Sequence, residues 1–384
     1  MAQPLYDDEH RLYRESVRAF VTREVVPFAE TWDREGIVPR ELYRKAGHAG
    51  LLGMAVPEEE GGAGADDFRF NAVIAEESAL AGVTGAMLGV VLQNDVCLPY
   101  FLHADPDQRT RWLPGIASGD LVTAIAMTEP EAGSDLQGMQ ARAVREGDTY
   151  VLSGSKTFIT NGIHADLVIV AARTDPSAGH RGLSLLVVER GMAGFERGRT
   201  LEKLGQHAQD TAELFFDGVR VPAANVLGAE GSGFAQLMSN LPQERLSLAV
   251  TSVAAAAAAV DWTVTHVLDR RAFGRPLAHF QSARFTLAEC RTEVDVTRAF
   301  VDECLRRHVD GVLSAEDAAK AKWWASDMQG RVIDRCLQLF GGYGYMLEYP
   351  IARAFADARV MRIYGGANEI MKEIVARSMG LRES

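Results

Sequence analysis

Cysteine is scarce in this sequence, with 4 in 384 residues. Cys97, Cys290, Cys304 and Cys336 form no C-x-x-C pair. Their wide scatter is not a disulfide framework, which points to a reducing compartment. The 9 histidines make neither H-E-x-x-H nor a His/Cys cluster at ligand spacing, so no metal site is expected. Basic residues are outnumbered 52 to 40, for a net charge of −12. A nucleic-acid binder wants a basic face, so that class is set aside. Met1–Arg14 lacks an apolar core and is rich in acids, which argues against secretion or import and for a cytoplasmic location. The longest uncharged run, Ser78–Asn94, is short and Gly-interrupted, so no membrane span is expected. No G-x-G-x-x-G follows a strand and opens a helix: Gly231-Ser232-Gly233 lacks the third glycine. Gly154-Ser155-Lys156-Thr157 lacks the Gly-Lys step of a P-loop and reads as a hairpin turn. No G-x-S-x-G exists, so there is no hydrolase elbow.

What remains is an ordinary soluble composition, 47% apolar and 24% charged, in a chain long enough for two or three domains. Residues 1–120 read as helical. Leu12, Phe20, Val21 and Val25 recur at helical spacing, and Pro27 and Pro39 divide the helices. Glu58–Gly64 reads as a flexible connector, Ser78–Leu92 as one buried helix, and Asp105-Pro106 as the start of the next. Residues 121–235 change texture to short β-rich runs punctuated by Gly, Asp, Ser and Asn: Leu121–Met127, Tyr150–Leu152, Thr157–Thr160, Leu167–Ala171, Leu183–Val188 and Leu214–Phe216. Little room for helices between them favours an antiparallel sheet or barrel. Residues 236–384 return to long helices. Trp324, Met328, Val332, Cys336 and Phe340 mark one apolar face, and Val294, Val301 and Leu305 another. The alanine run Ala254–Ala259 reads as a helix packed closely against neighbours. The fold class is therefore mainly α with a central β domain.

Five blocks stand out. Met127-Thr128-Glu129-Pro130-Glu131-Ala132-Gly133-Ser134-Asp135 is a strand end opening into a loop rich in hydroxyls and N–H donors. It suits a flat polar heterocycle or a phosphate, and equally an ordinary polar turn. In Lys156–Gly162, Phe158 and Thr160 share one strand face. Arg270-Arg271-Ala272-Phe273-Gly274 with Gln281, Gln338–Gly344, and Tyr364-Gly365-Gly366-Ala367-Asn368-Glu369 complete the set.

In this order and at these separations, the blocks resemble the acyl-CoA dehydrogenase family over nearly the whole chain. The resemblance implies an N-terminal helical domain, a β domain and a C-terminal helical bundle. It implies FAD held by Met127, Thr128, Gly133, Ser134, Phe158, Ile159 and Thr160, with Ala367, Asn368 and Glu369 nearby. Arg270, Phe273, Gln281, Gln338, Gly341 and Gly342 would approach the FAD of a neighbouring subunit, which implies a homo-oligomer, usually a tetramer. Substrate contacts would come from Ser134, Arg245, Tyr364, Gly365 and Gly366. The activity implied is conversion of a fatty acyl-CoA to the trans-2-enoyl-CoA in fatty acid β-oxidation, with electrons passed to an electron-transfer flavoprotein.

Many members of the family place the catalytic Glu directly after the Tyr of the last block. Here that position is Gly365. Leu241-Pro242-Gln243-Glu244-Arg245-Leu246 resembles the long-chain subgroup, which carries the base on an earlier helix, so the base falls to Glu244. Without the resemblance, a solvent-facing Glu beside Arg245 is the plainer reading. Glu131 replaces a usual Gly and is expected to face solvent, and Ala367 replaces a common Thr. The long-chain resemblance favours medium or long straight chains. Isovaleryl-type branched substrates, a carrier-protein thioester, an oxidase, and a non-catalytic flavin or acyl-CoA binding protein are the alternatives.

Overall fold

A computed structural model describes residues 5–381. Seven helices open the chain: α1 (Asp8–Phe20), α2 (Ala29–Glu35), α3 (Glu41–His48), α4 (Phe68–Leu80), α5 (Thr84–Leu92), α6 (Leu98–Leu102) and α7 (Pro106–Ser118). Asp105 caps α7 as expected, in a capping box with Gln108. Two expectations change here. Ser78–Leu92 is two helices, because Gly82 takes a φ of +72° between them. Glu58–Gly64 is ordered: Glu58–Glu60 forms a 3-10 turn, and Glu60 pairs with Arg109 at 2.6 Å. Gln93–Cys97 forms a π-helical turn that joins α5 to α6.

The sheet holds β1 (Thr123–Ala126), β2 (Arg142–Glu146), β3 (Thr149–Thr160), β4 (Leu167–Arg173), β5 (Leu183–Glu189), β6 (Phe195–Thr200) and β7 (Thr211–Pro222). Its order is β1-β4-β2-β3-β7-β6, with β5 paired to β4. Most pairs are antiparallel, but β1 runs parallel to β4, Thr123 opposite Leu167. The β2–β3 hairpin between them supplies the long crossover a parallel pair needs. Gly154 to Thr157 is not a turn. It lies inside β3, where Gly154 sits at a register shift and a Cβ there would meet Ala141 at 2.8 Å.

The C-terminal zone is α8 (Gly233–Asp269), a two-strand ribbon of β8 (Arg271–Ala272) and β9 (Arg275–Pro276), then α9 (Gln281–Val309), α10 (Ala315–Phe340), α11 (Pro350–Ala358) and α12 (Asn368–Ser378). The alanine run is buried all round, not on one face, because α8 packs against α4, α9 and α10 together. Val294, Val301 and Leu305 are buried with Met328, Val332 and Cys336 in one core. Trp324 is 41% exposed. Residues four apart drift about 40° around a helix, so four such steps carry Trp324 off the face Phe340 occupies. Thr84–Leu102 and Gly233–Asp269 are long and apolar enough to cross a membrane, but 67% and 72% of their apolar windows are buried inside the protein. That is the signature of core helices.

Candidate functional site

The expected site residues fall into three groups. The first surrounds the loop after β1. Glu129 is buried, and its carboxylate accepts from the N–H groups of Gln140 (2.6 Å) and Ala141 (2.9 Å) and from Lys156 Nζ (2.9 Å). Lys156 Nζ also donates to the Met127 carbonyl at 3.0 Å, and the Thr157 N–H to that of Thr128. The ion pair therefore ties loop 127–135 to β3. Burial pulls the Lys156 amine down to about 8. Just beyond, Phe158 takes a left-handed φ of +60° and leaves its ring 68% exposed. A bulky residue held there is strained, and such strain gathers at ligand sites. Thr128 and Thr160 are half-buried, Ser134 is exposed, and nothing lies within 4 Å of where a Gly133 side chain would begin. Ile159 packs into the sheet core, so only its backbone is available to a ligand. Glu131 faces solvent.

The second group centres on α8. Glu244 and Arg245 are both 6% exposed. Glu244 Oε1 accepts from the Tyr100 hydroxyl at 3.2 Å. Burial raises its carboxyl to about 7, against the lowering effects of Tyr100 and Arg245. Leu248, one turn along the same face, abuts Gly365: a Cβ at Gly365 would meet its Cδ1 at 2.4 Å. A side chain begun at Gly366 would start 4.0 Å from Arg245 Nη2. Gly365 and Gly366 both hold positive φ, +63° and +94°. Among the described residues the Gly365 N–H has no backbone partner, and the Arg245 Nε has no hydrogen-bond partner. Lys322 of α10 is fully buried and donates to the Gly366 carbonyl (2.7 Å) and to Asn368 Oδ1 (3.0 Å). Asn368 is also tied to α10. Its amide donates to the Trp323 carbonyl, Ser326 and Asp327, so it fastens α12 to α10. Ala367 is half-buried and Glu369 exposed beside it. Tyr364 is half-buried, and its hydroxyl accepts from Gln206 at 3.4 Å.

The third group stands apart. The Arg270 guanidinium lies 5.2 Å over the Tyr343 ring, beside an open groove of about 540 Å³ lined by His266, Phe340 and Tyr349. Gln338, Gly341 and Gly342 are exposed here, with nothing within 4 Å of a Cβ at either glycine. Gln281 is exposed too, and Phe273 is 95% exposed at the tip of the β8–β9 ribbon. At about 1.5 Å of rise per residue, the 26 positions from Glu244 to Arg270 put them about 39 Å apart. The chain thus holds the third group at the far end of α8 from the second.

Sequence reasoning missed Tyr100, Lys156 and Lys322. The lysines carried a signal: Lys156 alternates with inward-facing Tyr150 and Leu152 on β3, and Lys322 shares helical spacing with Ala318, Ala325 and Gln329. Tyr100 had none.

These residues fit FAD. An exposed, strained aromatic on a strand end offers a stacking surface for a flat ring. Bare glycine backbone at Gly133, Gly341 and Gly342 allows the close approach a ribityl chain or pyrophosphate needs. Arg270 offers a positive charge that a pyrophosphate can pair with.

Comparisons with known proteins agree. The chain matches the N-terminal domain of acyl-CoA dehydrogenase over residues 7–120, the middle domain over 124–219 and the C-terminal domain over 231–380. The rat long-chain specific acyl-CoA dehydrogenase, mitochondrial, is 48% identical over 98% of this chain and 87% of its own length. The crystal structure of an acyl-CoA dehydrogenase from Geobacillus kaustophilus superposes with a TM-score of 0.95 at 47% identity, covering 99% of this chain and 100% of that one. A glutaryl-CoA dehydrogenase from Mycobacterium smegmatis in complex with FADH2 superposes at 0.92 with 27% identity, covering 99% and 96%. The cytoplasmic expectation is corrected: the rat enzyme and its pig and mouse counterparts, all 48% identical, are mitochondrial. The acid-rich composition of residues 1–14 does not decide the compartment.

Proposed function

The chain belongs to the acyl-CoA dehydrogenase family, and from that premise we propose that Glu244 is the base that takes the α-proton of the thioester. The protein is an FAD-dependent oxidoreductase that converts an acyl-CoA to the trans-2-enoyl-CoA, with electrons passing to an electron-transfer flavoprotein. Bound FAD supplies the acceptor for the β-hydride.

The chain's own residues do the rest. The carboxylate of Glu244 is costly to bury charged, so its affinity for a proton rises toward that of a weak base at neutral pH. The Gly365 N–H, which has no backbone partner among the described residues, is the donor toward the thioester oxygen, where negative charge develops as the α-proton leaves. Arg245 offers a buried positive charge beside the same glycine pair. Met127, Thr128, Gly133, Ser134, Phe158, Thr160 and the Ile159 backbone hold one FAD, with Ala367, Asn368 and Glu369 alongside.

Arg270, Phe273, Gln281, Gln338, Gly341 and Gly342 hold the FAD of a second copy. The length of α8 between Glu244 and Arg270 supports that sharing, and with it a homo-oligomer, read here as a tetramer. The family matches support a division into domains 1–120, 121–235 and 236–384.

The likeness to long-chain specific enzymes supports medium or long straight chains as substrates.

The observation that carries the proposal is a buried carboxylate on the helical face that abuts Gly365, where the usual carboxylate is missing. Glu244→Gln should keep yellow FAD yet fail to bleach with acyl-CoA under anaerobic conditions. Normal bleaching would remove Glu244 from the role. A turnover panel of CoA thioesters tests chain length, and a preference for isovaleryl-CoA would sink the straight-chain reading.

A further inference from the structure

We propose that Tyr100 is the positioning residue of the base: its hydroxyl holds Glu244 Oε1 and leaves Oε2 as the atom presented to the α-proton. The inference rests on Glu244 being the base.

The geometry has three parts. Tyr100 is 2% exposed and reaches Glu244 across the α6–α8 contact at 3.2 Å. Asn240, one turn before Glu244, lies beside the Tyr100 oxygen and favours negative charge on it. The approach of α6 to α8 is itself pinned on both flanks of Glu244. Gln243 donates to the Asp95 carbonyl at 2.8 Å, and Ser247 donates to the Asp95 carboxylate. Asp95 sits in the π-helical turn that leads directly into α6, and Asn71 of α4 holds its other side at 2.9 Å. Gln243 is in turn met by His308 of α9 at 3.0 Å. The carboxylate thus hangs from a scaffold fixed at residues 243 and 247, and Tyr100 is the one hydrogen bond it receives among the described residues.

A phenol that donates to a carboxylate favours its charged form. In a buried site it therefore opposes the effect of desolvation and keeps the base ionised near neutral pH. The charged and titratable groups around Glu244 are few. Cys97 faces it from the π-helical turn and Tyr100 from α6. Arg245 flanks it on α8, and Lys322 of α10 stands behind Arg245. Tyr364 lies on the glycine segment, and Asp95 faces Ser247 on the opposite flank. Of these, only Tyr100 bonds to the carboxylate.

The test is Tyr100→Phe in the FAD-loaded enzyme, followed by the anaerobic rate of flavin bleaching with acyl-CoA as a function of pH. A hydrogen bond to a charged group is worth enough that its loss should move the midpoint of the rising limb up by about one to two pH units. FAD content should be unchanged, and the α-deuterium isotope effect should rise. Asn240→Ala should move the midpoint the same way by less. An unmoved midpoint in Tyr100→Phe, with Glu244→Gln inactive, overturns the role of Tyr100 alone. Normal bleaching in Glu244→Gln overturns the base assignment and this inference with it.

Discussion

Gly365 shows how a single missing atom shapes the site. Where much of the family carries the base, this chain has a residue with φ +63° and no room for a side chain. Gly365→Ala would place a methyl 2.4 Å from Leu248 Cδ1 in a backbone region that costs an L-residue about 1–2 kcal/mol. We expect at least a tenfold loss in the rate of flavin bleaching, with FAD retained on gel filtration. Leu248→Ala in the same chain should restore part of the rate, because it removes the contact but not the strain. Glu244 makes its own prediction. A base that titrates at about 7 must lose its proton to work, so kcat/KM should climb with pH through about 7 and level above it. A profile flat from pH 6 to 9 would contradict that.

At the scale of elements, the Lys156–Glu129 pair joins the loop after β1 to β3. Both partners are nearly inaccessible, with side-chain exposures of 0% and 5%. Removing one partner of a buried pair strands the other, at a cost of about 3–5 kcal/mol. Lys156→Met should therefore lower stability by roughly 3 kcal/mol and release FAD during gel filtration, since the same amine holds the Met127 carbonyl. Retention of FAD with a lowered melting point would separate the structural effect from the cofactor effect. The alanine segment of α8 is the other sensitive element. Ala256 and Ala259 are 0% exposed between three helices, so Ala256→Leu should cost about 1–3 kcal/mol by overpacking. Urea unfolding reads that directly.

Across the whole molecule, buried ionisable groups set a pH dependence of stability. Burial raises Asp95, Glu244 and Asp357 to about 7. Between about pH 4 and 7 the folded protein then binds more protons than the unfolded chain, and stability falls as pH rises. Burial lowers Lys156 and Lys322 to about 8. Between about pH 8 and 10 the unfolded chain binds more, and stability recovers. The unfolding midpoint should therefore pass through a minimum near pH 7–8. Asp357→Asn keeps an acceptor for the Gln206 N–H and removes one titration, so its gain over the parent should be larger at pH 8 than at pH 5. An equal gain at both would rule out that source.

The order helices, sheet, helices was legible in the sequence because hydrophobic period and turn residues are local properties. The capped start of α7, the buried faces at Val294 and Met328, and the five blocks all follow from neighbours in the chain. Three things were not legible. The break at Gly82 and the drift of Trp324 off its face depend on backbone angles and helical phase. The parallel pairing of β1 with β4 depends on which strands meet. The fate of a polar residue depends on its partner: Asn368 bonds to Lys322, Ser326 and Asp327 of α10, and Tyr100, which nothing local marked, reaches Glu244 from 144 positions away. The sequence by itself determined which chemistry the chain carries, through residue types at set spacings. Only tertiary structure decided which groups are desolvated and which are paired, because burial and hydrogen bonding are made between elements and not within them.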